Sequence, residues 1–301
     1  WVEGEMTFRI WDGKGRSWKM ERRQFVKLLV MSATALGATS WMNCGKREGQ
    51  TKMAESGGTG EWPLGLQSYT LRKMDVLEAI QQTGALGLHY IEIFPGHQPP
   101  DTEAERLDAA RQALKDSKVT LNAYGVVGLG PDEAKNRVFF DFGKKMGIPT
   151  LSADPVPDAE TMDVVEKLVE EYGIKIAIHN HGPKSRYSTV GDILKVVEGR
   201  HENLGACVDT GHFLRSGVDP VEAIRRLGKR VHGVHLKDWA GVEGEWPVFG
   251  EGKLDMVGVF KALREIEFDG FLSIEYEAHP DDPVPYLKRC VEATREAMSK
   301  A

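Results

Sequence analysis

The chain has 301 residues, of which 41% are hydrophobic and 28% charged, enough for one large domain or two small ones with a substantial core. Its net charge is −6; because residues 1–44 carry seven Lys/Arg and four Asp/Glu, the rest has 32 basic and 41 acidic residues and a net charge of −9. This acidic body argues against a nucleic-acid partner, since affinity for phosphate backbones rests on basic contacts. The cysteines, Cys44, Cys207 and Cys290, form no CxxC-type pair, so neither a disulfide framework nor a thiolate metal site is predicted.

Residues 1–44 are interpreted as a leader and an export signal. The first 19 residues show no usable pattern, but from Met20 onward the pair Arg22-Arg23 precedes an apolar run that ends near Trp41. This order resembles a twin-arginine signal, and the run is too short and too rich in small residues for a membrane span. We therefore expect export, either to the periplasm or to a membrane surface with Cys44 as a lipid anchor. The residues before Cys44 fit a lipoprotein cleavage site poorly, so both alternatives stay open.

Residues 45–61 are interpreted as a flexible linker, and residues 62–301 as a single folded domain. In that domain, short apolar runs alternate with amphipathic helical stretches. Strands are predicted at Leu64–Thr70, Tyr90–Phe94, Thr120–Val127, Thr150–Ala153, Lys175–Asn180, Gly205–Asp209, Val231–Leu236 and Phe271–Tyr276. Helices are predicted at Val76–Thr83, Glu103–Ser117, Asp132–Met146, Thr161–Tyr172, Val190–Glu198, Pro220–Leu227, Met256–Ile266 and Val284–Met298.

Strict alternation of strands and helices predicts parallel strands with helical crossovers. Eight such units match the usual size of a (β/α)8 TIM barrel, so an α/β barrel is the predicted fold. An open doubly wound sheet is the alternative, but no GxGxxG motif follows the first strand.

The last four predicted strands end in coordinating side chains, at positions where a buried strand is expected to stay apolar. Because side chains alternate in direction along a strand, four of these residues are predicted to lie in one inward-facing layer: His179, Asp209, His235 and Glu275. The positions two residues earlier carry small side chains: Ala177, Cys207, Gly233 and Ser273. The intervening positions carry β-branched side chains suited to face the helices: Ile178, Val208, Val234 and Ile274.

Two imidazoles and two carboxylates on adjacent strands predict a site for one divalent metal ion at the barrel mouth. Mn²⁺, Co²⁺ or Zn²⁺ suit this mixed nitrogen and oxygen set, and Mg²⁺ stays an alternative. The competing interpretation is that the four groups only bond to one another.

These motifs resemble the xylose isomerase-like superfamily, which contains sugar phosphate isomerase/epimerase proteins, inosose dehydratases and ketose 3-epimerases. The resemblance covers about residues 63–298 and rests on His179-Asn-His-Gly182, Val208-Asp-Thr-Gly-His212, Val234-His-Leu-Lys-Asp238, Gly250-Glu-Gly252 with Asp255, and Gly270-Phe-Leu-Ser-Ile-Glu-Tyr276. It implies a metal held by His179, Asp209, His235 and Glu275, and chemistry at a carbon beside a carbonyl or hydroxyl group. Ketose 3-epimerases commonly have Glu where this chain has His179, so a two-glutamate epimerase mechanism is not expected.

Supporting roles are predicted for residues near the four strand ends. Candidates for proton transfer or for stabilising negative charge are Glu275, Glu92, Lys237 and His181, and candidates for substrate binding are His212, Glu277, Trp239 and Tyr124. The long loop Trp239–Lys253 carries aromatic residues that suit stacking on a sugar, or equally packing on the rim.

The leading functional prediction is an exported metal-dependent sugar isomerase or epimerase that removes a proton from its substrate. One alternative is a lyase or dehydratase acting on an oxidised sugar such as a 3-keto-glycoside. A second is a non-catalytic sugar-binding surface protein, although pure binding seldom needs a metal with open coordination positions. The predicted partner is a small carbohydrate, and association of identical chains is left open.

Overall fold

The computed structural model describes residues 7–11, 17–21 and 62–301. In the first two ranges, Thr7–Trp11 pairs with Ser17–Glu21 as a short antiparallel hairpin. The predicted twin-arginine pair, its apolar run, Cys44 and the linker 45–61 lie outside the described residues. Among the helices that the structure describes, none is long and apolar enough to cross a membrane.

Eight parallel strands close into a barrel and follow one another around it in chain order. They are β1 (Leu64–Gln67), β2 (Tyr90–Ile93), β3 (Thr120–Leu129), β4 (Thr150–Pro155), β5 (Lys175–His179), β6 (Leu204–Asp209), β7 (Val231–Leu236) and β8 (Phe271–Ile274). Strand β8 pairs with β1 and closes the barrel. The predicted (β/α)8 fold is confirmed.

Helices lie between the strands and after the last one. They are α1 (Val76–Ala85), α2 (Ala104–Ser117), α3 (Glu133–Met146), α4 (Ala159–Tyr172), α5 (Val190–Val197), α6 (Thr210–Arg215), α7 (Pro220–Leu227), α8 (Met256–Glu265) and α9 (Val284–Lys300). Aspartate side chains cap several helices by accepting backbone N–H groups of the first turn, as Asp75 does for α1 and Asp219 for α7. These local signals explain why most predicted helix starts agree with the structure to within two residues.

Two features differ from the predicted elements. Strand β1 ends at Gln67, because the Gln67 side chain accepts the N–H of Tyr69 and starts the 3₁₀ turn Ser68–Leu71. Helix α6 was not predicted. It follows β6 without a linker, and the Asp209 carboxylate caps it by accepting the N–H of His212. One aspartate therefore ends a strand and starts a helix.

The inside of the barrel below the strand ends is filled by small side chains and one aromatic ring: Ala123, Ala177, Cys207 and Phe271. Gly233 makes room for that ring, since a Cβ there would lie 2.1 Å from the Phe271 side chain. The β-branched residues predicted to face the helices, such as Ile178 and Val208, are fully buried in the main core. The alternation therefore turns polar groups at the ends of β5 to β8 inward.

Candidate metal centre

Four side chains from consecutive strands meet at the carboxyl end of the barrel. The coordinating atoms of His179, Asp209, His235 and Glu275 all lie within 4.8 Å of one another. His179 Nε2 is 3.0 Å from His235 Nδ1 and 3.5 Å from Asp209 Oδ2, and His235 Nδ1 is 2.9 Å from Glu275 Oε2. Two nitrogens and two oxygens thus point at one small volume, as a mixed first coordination shell requires.

The donor set fits a divalent cation better than it fits mutual hydrogen bonding. Asp209 Oδ2 and Glu275 Oε2 are buried oxygens with no hydrogen-bond partner among residues 62–301, although both lie near an ammonium group. Unsatisfied buried oxygens cost free energy unless a ligand or ion compensates them. The cluster is therefore consistent with a divalent metal site.

Backbone contacts fix the position of Asp209. The Asn180 side chain accepts the N–H of Asp209 at 2.8 Å and donates to its carbonyl oxygen at 2.9 Å. Asp209 Oδ1 is engaged by the N–H of His212 at 2.7 Å, which leaves Oδ2 as the coordinating oxygen.

Behind His235 lies a carboxylate that fixes its ring. Glu92 Oε2 is 2.6 Å from His235 Nε2, the hydroxyl of Ser152 donates to Glu92 Oε1, and Glu92 and His235 are both 0% exposed. A proton on His235 Nε2 leaves Nδ1 free to face the other ligands. A carboxylate in this position is the usual outer-sphere partner of a metal-bound histidine.

A buried ammonium group joins the ligands to the cavity. Lys237 Nζ lies 3.0 Å from Asp209 Oδ2, 3.3 Å from Glu275 Oε2 and 2.6 Å from Glu277 Oε1. Burial opposes its charge, but the three carboxylates more than compensate and raise the pKa of Lys237 well above its usual value. Lys237 is therefore a permanent cation and not a base.

Three of the four ligands carry the charges that metal binding needs. Burial lowers the pKa of His179 to about 4, so its imidazole is neutral. Burial by itself would raise the pKa of Asp209 and of Glu275, but the adjacent Lys237 ammonium holds both well below their usual range. The fourth ligand differs: although burial also opposes a charged His235, the Cys207 thiol and the carboxylates of Glu92 and Glu275 raise the pKa of that imidazole, so an ion that binds there would have to displace a proton from it.

A cavity of about 540 Å³ opens above this cluster. Its wall includes six residues that were predicted as site residues: His179, Glu275, His181, Lys237, His212 and Glu277. Burial lowers the pKa of His181, and burial lowers the pKa of His212 to about 3, so both imidazoles are neutral at ordinary pH. The cavity therefore presents two neutral imidazoles, an ammonium and carboxylates next to the ligand cluster.

The ligands Asp209 and His235 and three of the predicted supporting residues, Glu92, Tyr124 and Trp239, do not line this cavity. Glu92 lies underneath His235. Tyr124 is fully buried with its hydroxyl donating to the carbonyl of Gln98, and Trp239 Nε1 donates to the carbonyl of Val242. Roles for Glu92, Tyr124 and Trp239 in proton transfer or substrate contact stay predictions, because the side chains of these residues do not line the cavity.

Other residues at the site were not predicted. Arg215 and Trp246 line the cavity, with the guanidinium carbon 5.4 Å from the indole ring centre. Cys207 forms a second set of donors with His179 and His235, although burial raises the pKa of its thiol to about 11. Arg215 lies on helix α6, which no periodic pattern signals. Cys207 could have been noticed because it lies two residues before Asp209 on the same strand face.

The profile of the xylose isomerase-like TIM barrel family matches residues 80–297 of the chain. The chain belongs to this family. The resemblance to this family that the sequence motifs indicated is therefore confirmed.

Relatives of this xylose isomerase-like chain include an inosose dehydratase from Clostridium botulinum (strain Alaska E43 / Type E3), 32% identical over 161 residues, which are 47% of this chain and 54% of that protein. The chain spans about half the length of the curated relatives it matches.

Among solved structures, an uncharacterized protein from Parabacteroides distasonis is 26% identical with a TM-score of 0.61, covering 78% of this chain and 98% of that one. D-psicose 3-epimerase from Clostridium cellulolyticum H10 is 15% identical with a TM-score of 0.65, covering 78% and 99%, and shows likeness of fold alone.

Proposed function

We propose that this protein is a metal-dependent enzyme that removes a proton from a sugar or polyol, beside a carbonyl or hydroxyl group. The observation that carries the proposal is the cluster of four buried ligands, two of which, His179 and Glu275, line a polar cavity at the carboxyl end of the barrel, where barrel enzymes have their active sites. The dehydratase name of a 32% identical relative supports the same class of chemistry.

His179, Asp209, His235 and Glu275 would hold the ion, and Mn²⁺, Co²⁺ or Zn²⁺ suit this set of donors, with Mg²⁺ as the alternative. A bound divalent ion would supply Lewis-acid polarisation of a substrate oxygen, which makes the adjacent carbon more acidic. All other chemistry must come from side chains on the cavity wall.

Two groups on the wall suit proton transfer and charge stabilisation. The Lys237 ammonium, held by three carboxylates, would donate hydrogen bonds to a substrate oxygen that gains negative charge. His181 is a neutral imidazole with access to the cavity, so it would accept the proton. His212, between Lys237 Nζ at 3.4 Å and an arginine nitrogen at 2.9 Å, would contact a substrate hydroxyl.

Elimination of water is the second candidate outcome, beside isomerisation or epimerisation. Epimerisation needs a proton donor and an acceptor on opposite faces of one carbon, whereas elimination can use one group for both proton transfers. The His181 imidazole would take the proton from carbon and then give it to the departing hydroxyl group, which leaves as water, while Lys237 donates a hydrogen bond to the substrate oxygen that gains negative charge. In a lyase acting on a 3-keto-glycoside, the same proton would go to the departing alcohol oxygen.

The test is proton exchange in D₂O, followed by NMR with the metal-loaded full chain and with free ketoses, an inosose and 3-keto-glycosides. We expect metal-dependent incorporation of deuterium at one carbon, with the product separating isomerisation from elimination. The variant Asp209→Asn should abolish exchange. A protein that binds these sugars but exchanges no proton with any metal would support the non-catalytic sugar-binding alternative instead.

Export is proposed on the strength of the Arg22-Arg23 signal alone. Fractionation of cells that express the full chain, compared with the variant Arg22→Lys/Arg23→Lys, tests it, and Cys44→Ser tests the lipid anchor. We expect the double variant to stay inside the cell. Equal distribution of both forms would refute export by this route.

A further inference from the structure

We infer that the cavity is built for an uncharged sugar derivative, such as a glycoside, and that it disfavours phosphorylated and carboxylated sugars. This inference names the substrate class of the proposed site and therefore rests on the proposed function. Three features carry it: the pairing of the cavity's cations, the hydrogen bonds that Asp238 accepts from its own loop, and the aromatic wall.

Among the residues that the structure describes, two cationic side chains line the cavity, Lys237 and Arg215, and carboxylates of the protein pair with both. Lys237 bonds Glu277 and lies against Asp209 and Glu275. An anionic substrate group would have to displace one of these carboxylates to reach the ammonium. Displacing a buried ion pair leaves the displaced carboxylate without its partner, which costs binding free energy.

Arg215 is paired in the same way from the loop after β7. Its Nε lies 3.2 Å from Glu243 Oε2, and its Nη2 donates to Glu243 Oε1, so the guanidinium engages both carboxylate oxygens. Its remaining terminal nitrogen lies 2.9 Å from His212 Nδ1. A two-point arginine–carboxylate pair is how proteins recognise acidic ligands. Here the carboxylate that pairs with Arg215 comes from Glu243 of the same chain.

Backbone N–H groups of the loop after β7 are bound by a carboxylate of the same loop. Phosphate groups in barrel enzymes are frequently bound by backbone N–H groups of the loops after strands 7 and 8. In this chain the Asp238 carboxylate, 1% exposed, accepts four N–H groups of the loop after β7, those of Trp239, Gly250, Gly252 and Leu254, at 2.8 to 3.0 Å. These four donors are consequently not available to a substrate phosphate.

A bound divalent ion would not leave the cluster with excess positive charge. The ion, Lys237 and Arg215 would carry four positive charges, against five carboxylates: Asp209, Glu243, Glu275, Glu277 and Glu92. Neither a phosphate nor a carboxylate on the substrate would then meet an unpaired positive charge. A neutral sugar leaves every existing pair intact.

The rest of the wall is aromatic and roomy. Tyr69 and Phe94 pack edge to face with ring centres 5.3 Å apart on one side, and Trp246 packs against His212. A volume of about 540 Å³ lies within the range of about 300–1,000 Å³ that is usual for drug-sized ligands. The cavity thus has room for a sugar ring and for a second ring or aglycone against the aromatic side chains.

Binding titrations on the full chain, with and without added Mn²⁺, test this inference. The probes are p-nitrophenyl β-D-glucopyranoside and D-glucose as uncharged ligands, and D-glucose 6-phosphate and D-glucuronate as charged ones. We expect the glycoside to bind best and both charged probes to bind at least about tenfold more weakly than D-glucose. Charged probes that bind as tightly as D-glucose, or uncharged probes that do not bind, would overturn the inference.

The variant Glu243→Gln removes the charge that pairs with Arg215; because the Glu243 side chain is 73% exposed, binding of D-glucuronate should strengthen by about two- to fivefold. Its matched control is Glu251→Gln, because Glu251 lies in the same loop but pairs with Arg289 outside the cavity. We expect the control to leave all affinities unchanged. No gain in Glu243→Gln, or an equal gain in the control, would overturn the role of the Arg215 pair. A protein that takes up none of Mn²⁺, Co²⁺, Zn²⁺ and Mg²⁺ would refute the proposed function, whereas the titrations without metal still report the preference for uncharged sugars.

Discussion

Replacing Glu92 by Gln should weaken metal binding without disturbing the barrel. The amide oxygen can still accept from His235 Nε2, and the amide nitrogen can donate to the Ser152 hydroxyl, so no buried polar group loses its partner. The substitution removes only the negative charge that strengthens the contact with His235. Glu92 is therefore a positioning residue in this prediction, acting on the metal through the imidazole.

The expected magnitude follows from burial and distance. Glu92 and His235 are both 0% exposed and their contact is 2.6 Å long, so water does not screen the charge. Charge-assisted hydrogen bonds are about twice as strong as neutral ones. Loss of such an outer-sphere partner typically lowers metal affinity by about 10- to 100-fold. That range corresponds to about 1.4–2.7 kcal/mol of binding free energy.

The assay is a competitive chelator titration of Mn²⁺ and Zn²⁺, with the thermal unfolding of the metal-free protein as a check on the fold. The matched control is Glu166→Gln, because this carboxylate pairs with Arg200 and contacts none of the four ligands. The control should bind metal like the natural chain. An unchanged affinity in Glu92→Gln would refute the positioning role, as would an equal loss in the control.

Three further outcomes are expected. Mn²⁺ at about a thousandfold excess over its Kd should stabilise the fold by about 4 kcal/mol, because it binds only the folded protein; thermal unfolding that is insensitive to Mn²⁺ and to chelator would contradict the metal site. Burial lowers the pKa of His232, whose Nδ1 lies 3.1 Å from the carbonyl of Ile176, to about 4. Below a pH of about 6.5 this imidazole takes up a proton in the unfolded chain, whereas in the folded chain it stays neutral until about pH 4. The stability of the fold therefore falls with acidification. His232→Asn should reduce that loss by an amount on the order of 3 kcal/mol, and parallel pH profiles in denaturant titrations would argue against it. Gly233→Ala should cost about 1–3 kcal/mol because its Cβ would lie 2.1 Å from the Phe271 ring. Gly128→Ala, where no atom lies within 4 Å of the added carbon, should change stability by less than about 0.5 kcal/mol; equal losses in the two variants would refute the packing explanation.

Local patterns in the chain were sufficient to predict the barrel. The apolar runs and capping aspartates mark most strands and helices to within a few residues, since both signals act between near neighbours in sequence. Strand β7 and helix α7 agree with their predicted ranges at both ends. The four-ligand cluster followed as well, because parallel strands of one barrel end at the same face and side chains alternate along each strand.

The tertiary structure alone decided which of the remaining polar residues face the cavity. Glu92 contacts His235 across 143 residues of sequence, and the same carboxylate could have been assigned to the cavity wall from strand alternation. Likewise, Trp239 and Trp246 belong to one loop, yet only Trp246 lines the cavity. Sequence periodicity gives the direction of a side chain within its own element, whereas the partner it meets depends on how distant elements pack. The ligand cluster could be predicted because it depends on the direction of side chains within single strands. The contact of Glu92 with His235 and the Arg215–Glu243 pair could not be predicted, because each depends on how distant elements pack.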